Sequence, residues 1–387
     1  MTFIPVHSAP TPDQAVPAAP AGHTRDRRGS PIPTAGMISA RLMELRRRRG
    51  LMAAVMLMSI GLPALFAGVR LLLHAFAPRT NPPAGGELIF QVLVAGFLPT
   101  FAFISAAVAG CTAGSRDLTE GVFRHLVITG RSRLALYLAR IPAGLAIVGT
   151  VVAIGYALVC AVCVFAAPSF VADSNANVPP GLSQAGFEHW AAGRARTVIC
   201  DLPYTGRVPP NVACPPGPKS SLTPAQAAPP ALEALAVRIA RQDYPGYTSI
   251  FVRPPALLMI TSGLWLELEA AVGFMLGLGL ASLLGQRTGP VILLIMCQFI
   301  LTPILTAATI PQLLAVRRSF IGLAMARLEP SALPMANGLP GISGGIGAAG
   351  TGQSLLPESP AVAACVIVAW LAAWTILGAW RMISRDA

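Results

Sequence analysis

The pattern of hydrophobic and polar positions divides this chain into long apolar runs separated by polar segments. A helix needs about 20 mainly apolar residues to cross a bilayer, and six runs meet that requirement. They cover residues 51–73, 88–113, 134–167, 256–284, 291–314 and 362–380. The pattern therefore predicts an all-α membrane protein with six transmembrane helices. The third run is longer than a span needs, and Pro142 within it predicts a kink where the chain enters the membrane.

The chain before the first apolar run contains two different segments. Residues 1–36 are rich in Pro, Ala, Ser and Thr and have no periodic apolar pattern, which predicts a disordered tail. In residues 37–50, apolar side chains alternate with arginines. This pattern predicts an amphipathic helix on the membrane surface, although a basic stop before the first span would look similar. We expect the first run to act as an uncleaved anchor.

Composition supports placing the chain in lipid. Hydrophobic residues make up 54% of it and charged residues only 11%, with a mean hydropathy of +0.64, whereas soluble domains carry about 25% charged residues. The formal net charge is +12, but the arginines lie beside the spans and have no interleaved aromatic residues. That arrangement is typical of a topology signal and argues against nucleic-acid binding.

The distribution of arginine also predicts the orientation of the chain. If the N-terminus is cytoplasmic, most arginines of the short loops lie on the cytoplasmic side, as the positive-inside rule requires. Six spans then place both termini in the cytoplasm, with the protein in the plasma membrane. Arg317, Arg318 and Arg327 depart from the rule, because they fall in the predicted external loop of residues 315–360. The apolar residues at 320–328 recur at helical spacing and predict a short helix near the start of this loop.

The long polar segment of residues 168–255 becomes an external loop in this topology. Cys200 and Cys214 bracket a proline-rich stretch within it, and an oxidising compartment would favour a disulfide between them. A short amphipathic helix is predicted at residues 231–242. The tyrosine-containing stretch that follows, residues 243–247, is expected at the level of the lipid headgroups.

A polar segment, residues 115–129, stands between the second and third runs. Its apolar residues recur at helical spacing on one face, and its charged residues occupy another; the apolar set is Leu118, Val122, Phe123, Leu126 and Val127. Ser115 is suited to cap the start of a helix, and Arg133 to anchor the next span. The segment predicts a short helix along the cytosolic membrane surface, either as a docking element or as an interfacial helix without a partner.

The order of residues here resembles the cytoplasmic loop of ABC type-2 export permeases. In that family an acidic residue and a glycine precede an apolar run, a turn, and a Ser-Arg pair before the next span. The matching positions are Glu120 and Gly121, residues 122–128, and then residues 129–133. A second stretch, residues 273–287, is similar to the end of the fourth span and the turn that follows in these permeases. Together with the span order, the resemblance covers most of the membrane region between about residues 51 and 381, but not the N-terminal tail or the long external loop.

The resemblance implies a function for the segment of residues 115–129, called the coupling segment from here on. In such exporters this helix docks into a cleft on a separate ATPase subunit, and two permease subunits, identical or different, form the substrate path. The residues implied in coupling are Asp117, Glu120, Gly121, Arg124 and His125. ATP would then be bound and hydrolysed by the partner, and this chain would bind no cofactor and would not itself be an enzyme.

Three polar residues within the apolar runs are candidates for the substrate path. Glu267 and Glu269 lie in the fourth run and Gln298 in the fifth. An ionisable residue at membrane depth suggests a functional site, but both glutamates would also be explained by a position near the external interface. Residues two apart point about 200° apart on a helix, so the two glutamates are not expected to form a carboxylate pair. Gln298 is expected to form a hydrogen bond between helices.

Other motifs are weaker. Residues 347–354 have the spacing of a phosphate-binding loop, but Gln353 replaces its lysine, so a flexible glycine-rich tether is the preferred interpretation. His125 has no second ligand nearby, and the Cys160 and Cys163 pair lies inside an apolar run without a second pair, so no metal site is expected. Two other functions stay open, an ion-gradient-driven secondary transporter and a non-transport membrane scaffold.

Overall fold

The structure is a computed structural model. The residues described are 32–77, 85–119, 132–166, 171–172, 177–179, 181–195, 230–251, 253–307, 314–330, 333 and 359–384. Nearly all of them are helical. Apart from the helices, they contain one antiparallel pair of two-residue strands, β1 (Val171–Ala172) and β2 (Asn177–Val178).

We number the helices in chain order. The first part of the chain contains α1 (Ala35–Arg47), α2 (Arg49–Phe76), α3 (residues 87–119), α4 (Arg133–Phe165) and α5 (Gln184–Gly193). The second part contains α6 (Pro230–Phe251), α7 (Ala256–Leu284), α8 (residues 288–307), α9 (Leu314–Ser319), α10 (Ile321–Arg327) and α11 (Pro360–Ser384). Within the described residues, three of these helices contain a π-helical turn. The π turns lie at Leu57–Gly61 in α2, Leu93–Phe97 in α3 and Cys297–Leu301 in α8.

Five described helices are long and apolar enough to cross a membrane: α2, α3, α4, α7 and α11. They match the first, second, third, fourth and sixth predicted spans. The predicted fifth span begins with the shorter apolar stretch Thr288–Leu301, and helical backbone continues through Ala307. Residues 308–313 lie outside the described part of the chain, so the count of six spans stays a prediction.

The centre of the fold is the contact between α3 and α7, where glycine lets the two backbones touch. A Cβ atom on Gly110 would lie 2.1 Å from the Phe274 carbonyl oxygen, and one on Gly277 would lie 2.4 Å from the Ala107 carbonyl oxygen. Such close approach of two helices in a membrane depends on small residues at the contact. The middle of α7 is correspondingly well packed, and its residues from Val272 to Gly279 are almost all buried.

Three other long helices pack around this pair. The ring of Phe274 occupies the space that a side chain at Gly144 on α4 would need. Gly279 on α7 lies against Trp374 of α11 in the same way. Helix α2 is joined to α3 by a hydrogen bond between the hydroxyl groups of Ser59 and Ser105, at 2.9 Å. Side chains on the outer faces of α2 and α11 are mostly exposed, as expected for a surface that meets lipid or another membrane helix.

Two local features predicted from the sequence are present in the structure, a helix before the first span and a break near Pro142. Helix α1 covers most of the predicted amphipathic segment and packs against α4, with Leu45 buried and Arg41 paired to Glu44 at 2.8 Å. Helix α4 is interrupted at Ala139, just before Pro142. Proline has no N–H group and its ring excludes the carbonyl of the fourth preceding residue, which explains an interruption at this point.

Helices α5 and α6 pack on each other through aromatic side chains. The ring of Phe187 on α5 stacks on Tyr247 of α6 at a centroid distance of 4.3 Å and on Trp190 at 5.6 Å. On the exposed side, Arg241 donates two hydrogen bonds of 3.0 Å to Glu188 and thereby lowers the pKa of that carboxyl group. Helix α6 also contacts the first turns of α3, so this pair of helices lies at the end of the bundle where α3 begins.

The prediction for the end of α6 was wrong. A helix was predicted only for residues 231–242, with residues 243–247 as a separate stretch at the headgroups. In the structure α6 continues through Pro245 to Phe251, because Tyr244 and Tyr247 gain the aromatic contacts with Phe187 only if the helix continues. Burial of these rings outweighs the hydrogen bond that the proline removes.

We expect Gly110→Ala to destabilise the protein, because its added methyl group would overlap the backbone of α7. Overpacking of this kind costs about 1–3 kcal/mol, so the thermal unfolding midpoint in detergent should fall. Gly68→Ala is the matched control, since a Cβ atom there meets nothing within 4 Å. Equal midpoints for the two variants would contradict the backbone contact.

Candidate functional site

The root of the coupling segment, where α3 leaves the bundle, is held by two neighbouring helices. The carbonyl oxygen of Gly114 accepts a hydrogen bond from the Arg140 guanidinium of α4 at 3.3 Å and one from the Ser282 hydroxyl of α7 at 3.4 Å. Arg140 is only 2% exposed. Gly114 also approaches the Leu278 carbonyl so closely that a Cβ atom would lie 2.5 Å from it. The last described turns of α3 therefore have a fixed position on α4 and α7.

The start of the coupling segment differs from the sequence prediction. Ser115 was expected to cap a new helix, and this is wrong. Helix α3 runs on through Thr119, and the Ser115 hydroxyl is buried and donates to the Cys111 carbonyl oxygen at 2.9 Å. A serine inside a helix commonly satisfies its hydroxyl in this way. Gly114 does not end the helix, because its small size is used for packing against α7.

Only one of the five residues implied in coupling lies in the described part of the chain. Asp117 lies in the last turn of α3. The other four residues implied by the resemblance, Glu120, Gly121, Arg124 and His125, lie outside the described residues.

The chain returns to the bundle at a second fixed point. Ser132 caps α4 by accepting a hydrogen bond of 3.1 Å from the backbone N–H of Ala135. Arg133 donates a hydrogen bond of 3.0 Å to the Ile383 carbonyl oxygen, near the end of α11. The residues that flank the coupling segment are thus attached to helices of the bundle, Gly114 to α4 and α7 and Arg133 to α11.

Sequence reasoning missed Arg140 and Ser282 as partners of Gly114. Arg140 carried a usable signal, because a charged residue inside an apolar run is expected to find a specific partner. Ser282 carried no comparable signal. Its role depends on how far α7 is shifted along α3, and that shift is set by the glycine contacts.

The two candidate carboxylates on α7 face different surroundings. Glu267 is half-buried and lies beside α4, where a Cβ atom on Gly149 would come within 3.0 Å of its Oε2 atom. Glu269 is only 6% exposed. One turn before it, the Trp265 indole donates a hydrogen bond of 3.1 Å to the Met325 carbonyl oxygen of α10. The two glutamates therefore point to opposite sides of α7, and only Glu269 faces the α10 side.

Glu269 has an acidic neighbour that the sequence analysis did not single out. Glu329 follows α10, and its pKa is raised to about 8 by its burial and by the charge of Glu269. Burial and the neighbouring carboxylate therefore both favour the protonated form of Glu329, which avoids placing two buried negative charges together. The helical pattern around residues 320–328 predicted α10 correctly, but nothing in the sequence showed that α10 would return to α7.

The remaining candidates are dispersed. Gln298 lies in the π turn of α8 and is half-buried. Cys200, Cys214 and the glycine-rich residues 347–354 lie outside the described part of the chain. Cys160 and Cys163 on α4 are free thiols. Within the residues that the structure describes, no three His, Cys, Asp or Glu side chains are grouped closely enough to hold a metal ion.

Comparisons with known proteins give no family assignment. No family model, no curated protein and no solved structure matches the chain. The plain conclusion at this stage is a helical protein with five membrane-spanning candidates.

The raised pKa of Glu329 predicts a pH-dependent stability. Its folded pKa of about 8 lies above the ordinary value of 4.5, so folding favours the protonated form. This contribution to stability is present below the ordinary pKa and is lost as pH rises towards 8. We expect the thermal midpoint of the purified protein to fall over that range, and to fall less in Glu329→Gln.

Glu233→Gln is the control for this measurement, because Glu233 is exposed in the first turn of α6. Its midpoint should follow the wild-type dependence on pH. An unchanged pH dependence in Glu329→Gln would contradict the assignment.

Proposed function

We propose that this chain is the membrane-spanning permease subunit of an ATP-binding cassette exporter. The observation that carries the proposal is the fixation of the residues that flank the coupling segment on either side. Gly114 is held by Arg140 and Ser282, and Arg133 is bound to the end of α11. A charged segment attached in this way would pass a displacement directly to the helices that hold it. This is what a permease requires where a separate ATPase docks.

The residues of the coupling segment suit such docking. Glu120 and Arg124 would form charge-assisted hydrogen bonds with the ATPase, which are stronger than hydrogen bonds between neutral groups. Asp117 and His125 would add polar contacts at the two ends of the charged region. Gly121 would permit the close approach of the partner, because it has no side chain.

The proposal also implies where the protein is located and which partners it has. The protein would be a multi-pass component of the plasma membrane with both termini in the cytoplasm. ATP would be bound by the partner subunit, so this chain would have no ATPase activity. The substrate path would form between two permease subunits, a homodimer or a heterodimer, and the exposed apolar faces of α2 and α11 are available for this contact or for lipid.

The first test is recruitment of the ATPase. The candidate is a soluble protein with an intact phosphate-binding loop, encoded next to this chain, and it should co-purify with the wild type when the two are co-expressed. We expect Glu120→Arg to reduce co-purification about tenfold or more, because a charge-assisted contact becomes a repulsion.

Glu233→Arg is the matched control for this test. It reverses one exposed charge on α6, which lies at the end of the bundle where α3 begins and hence away from Gly114. It should leave recruitment unchanged. Equal loss in both variants, or retention in Glu120→Arg, would argue against docking through the coupling segment.

The second test concerns orientation. In a background with the native cysteines replaced, a Glu120→Cys variant should react with a membrane-impermeant maleimide only after the cells are opened, because the proposal places the coupling segment in the cytosol. A cysteine introduced at exposed Glu233 should react in intact cells. Labelling of position 120 from outside would overturn the proposed orientation and, with it, the docking to a cytosolic ATPase.

One observation favours a second candidate function. Glu269 is buried near Glu329, and a buried acidic pair is also the kind of group that a secondary transporter uses to carry a proton. The recruitment experiment separates the two functions. An ion-driven transporter would bind no ATPase and would be unaffected by Glu120→Arg.

A further inference from the structure

A cavity of about 650 Å³ lies among the first turns of α2, the last turns of α3 and the first turns of α8. Its size is within the range of about 300–1,000 Å³ that is usual for small-molecule sites. Two arginines line it, Arg48 immediately before α2 and Arg287 immediately before α8. Among the described residues that line it, none is acidic. Two guanidinium groups therefore lie at one end of the cavity.

The start of α8 lies at the same end. The helix begins at Thr288 and has no acidic residue in its first turn. Pro290 has no N–H group and the Val291 N–H donates to the Arg287 carbonyl oxygen, so the N–H groups here that can attract an anion are those of Thr288 and Gly289. The combination of two guanidinium groups and one helix start favours an anion carrying a phosphate or a carboxylate.

The remainder of the cavity is apolar. Leu51 and Ala54 of α2, Val108 of α3 and Ile292 of α8 provide this part of its wall. Ile292 is 57% exposed, so the apolar wall continues onto the outer surface of the bundle, where lipid chains are expected. A ligand that fits both parts has an anionic head and a hydrocarbon body.

The packing of helix α3 explains why the cavity exists. Gly110 and Gly114 lie on the face of α3 that closes against α7. Val108 and Thr112 each precede one of these glycines by two residues and so lie on the opposite face of the helix. The backbone contact holds α3 close to α7, while α2 and α8 leave space on its other side.

The same three helices also contain the three described π turns. In α2 and α8 the π turn follows the cavity residues, and in α3, which runs the other way, it precedes them. Each π turn therefore lies deeper in the bundle than the cavity. Such turns occur frequently at functional sites, and the three described ones all lie in the helices that form the cavity.

We propose that this cavity binds an anionic amphiphile, with its phosphate or carboxylate head between Arg48 and Arg287 and its chain against the apolar wall. The assignment of the site to the cytosolic leaflet, and of the ligand to transported cargo, rests on the proposed function. Binding itself does not, because the cavity is formed by this chain alone.

The test uses the full chain, purified without the ATPase in an uncharged detergent, with bound lipids counted by native mass spectrometry. Phosphatidylglycerol is the anionic probe and phosphatidylcholine the zwitterionic one. We expect phosphatidylglycerol to bind preferentially, and the double variant Arg48→Gln/Arg287→Gln to weaken its binding by about tenfold or more, because two charge-assisted contacts are lost.

Two further variants make the result specific. The double variant Arg46→Gln/Arg49→Gln removes the same charge from neighbouring positions that do not line the cavity, and should change binding by less than about twofold. Ala54→Trp keeps every charge but fills the apolar part, and should weaken binding as strongly as loss of the two arginines. Ala54 is exposed, so the larger side chain does not need to enter the core.

Equal effects of the two double variants, or full binding by Ala54→Trp, would overturn the proposal. Inorganic phosphate distinguishes the two sources of the anion. It should not displace phosphatidylglycerol, and displacement at similar concentrations would show a simple anion site and overturn the amphiphile assignment.

This outcome is independent of the ATPase. Glu120→Arg should bind phosphatidylglycerol like the wild type, so the failure of either proposal can be recognised separately. If the ATPase is recruited and the anionic lipid exchanges with ATP-driven transport, the ligand is cargo. If it binds but does not exchange, the ligand is a resident lipid and the amphiphile site still stands.

Discussion

The arrangement of the other helices depends on the backbone contact between α3 and α7. Without side chains at Gly110 and Gly277, the two helices approach until their carbonyl groups face the opposite backbone. In lipid no hydrophobic force favours helix association over contact with acyl chains, so dispersion contacts at short range have to provide it. The contact also fixes the shift of α7 along α3. That shift brings Ser282 and Arg140 to the carbonyl of Gly114 and leaves the opposite face of α3 open to the cavity.

The sequence predicted well those features that depend on residues close together in the chain. Long apolar runs predicted five of the long helices nearly to their ends, Pro142 predicted the interruption of α4, and the pattern of residues 320–328 predicted α10. The prediction of a new helix at Ser115 was wrong, because a serine that caps a helix and a serine whose hydroxyl donates to the carbonyl four residues back look alike in the sequence.

Features that depend on contacts between distant segments could not be predicted. Glu329 lies near Glu269 only because α10 folds back onto α7, and nothing near Glu329 in the sequence records this. The same applies to Pro245. It remains within α6 because Tyr244 and Tyr247 pack against the Phe187 ring of α5. The positions of Arg48 and Arg287 around one cavity also required the structure, since more than two hundred residues separate them.

The α3 and α7 contact has a consequence for biosynthesis. Helix α3 is made early and its partner late, since α4, α5 and α6 all lie between them in the chain. Until α7 has left the ribosome and entered the bilayer, the glycine-lined side of α3 has no backbone to pack against. The fold therefore cannot be completed as each helix is inserted in turn. The first half of the protein has to be kept from unsuitable associations with other membrane helices while the second half is translated.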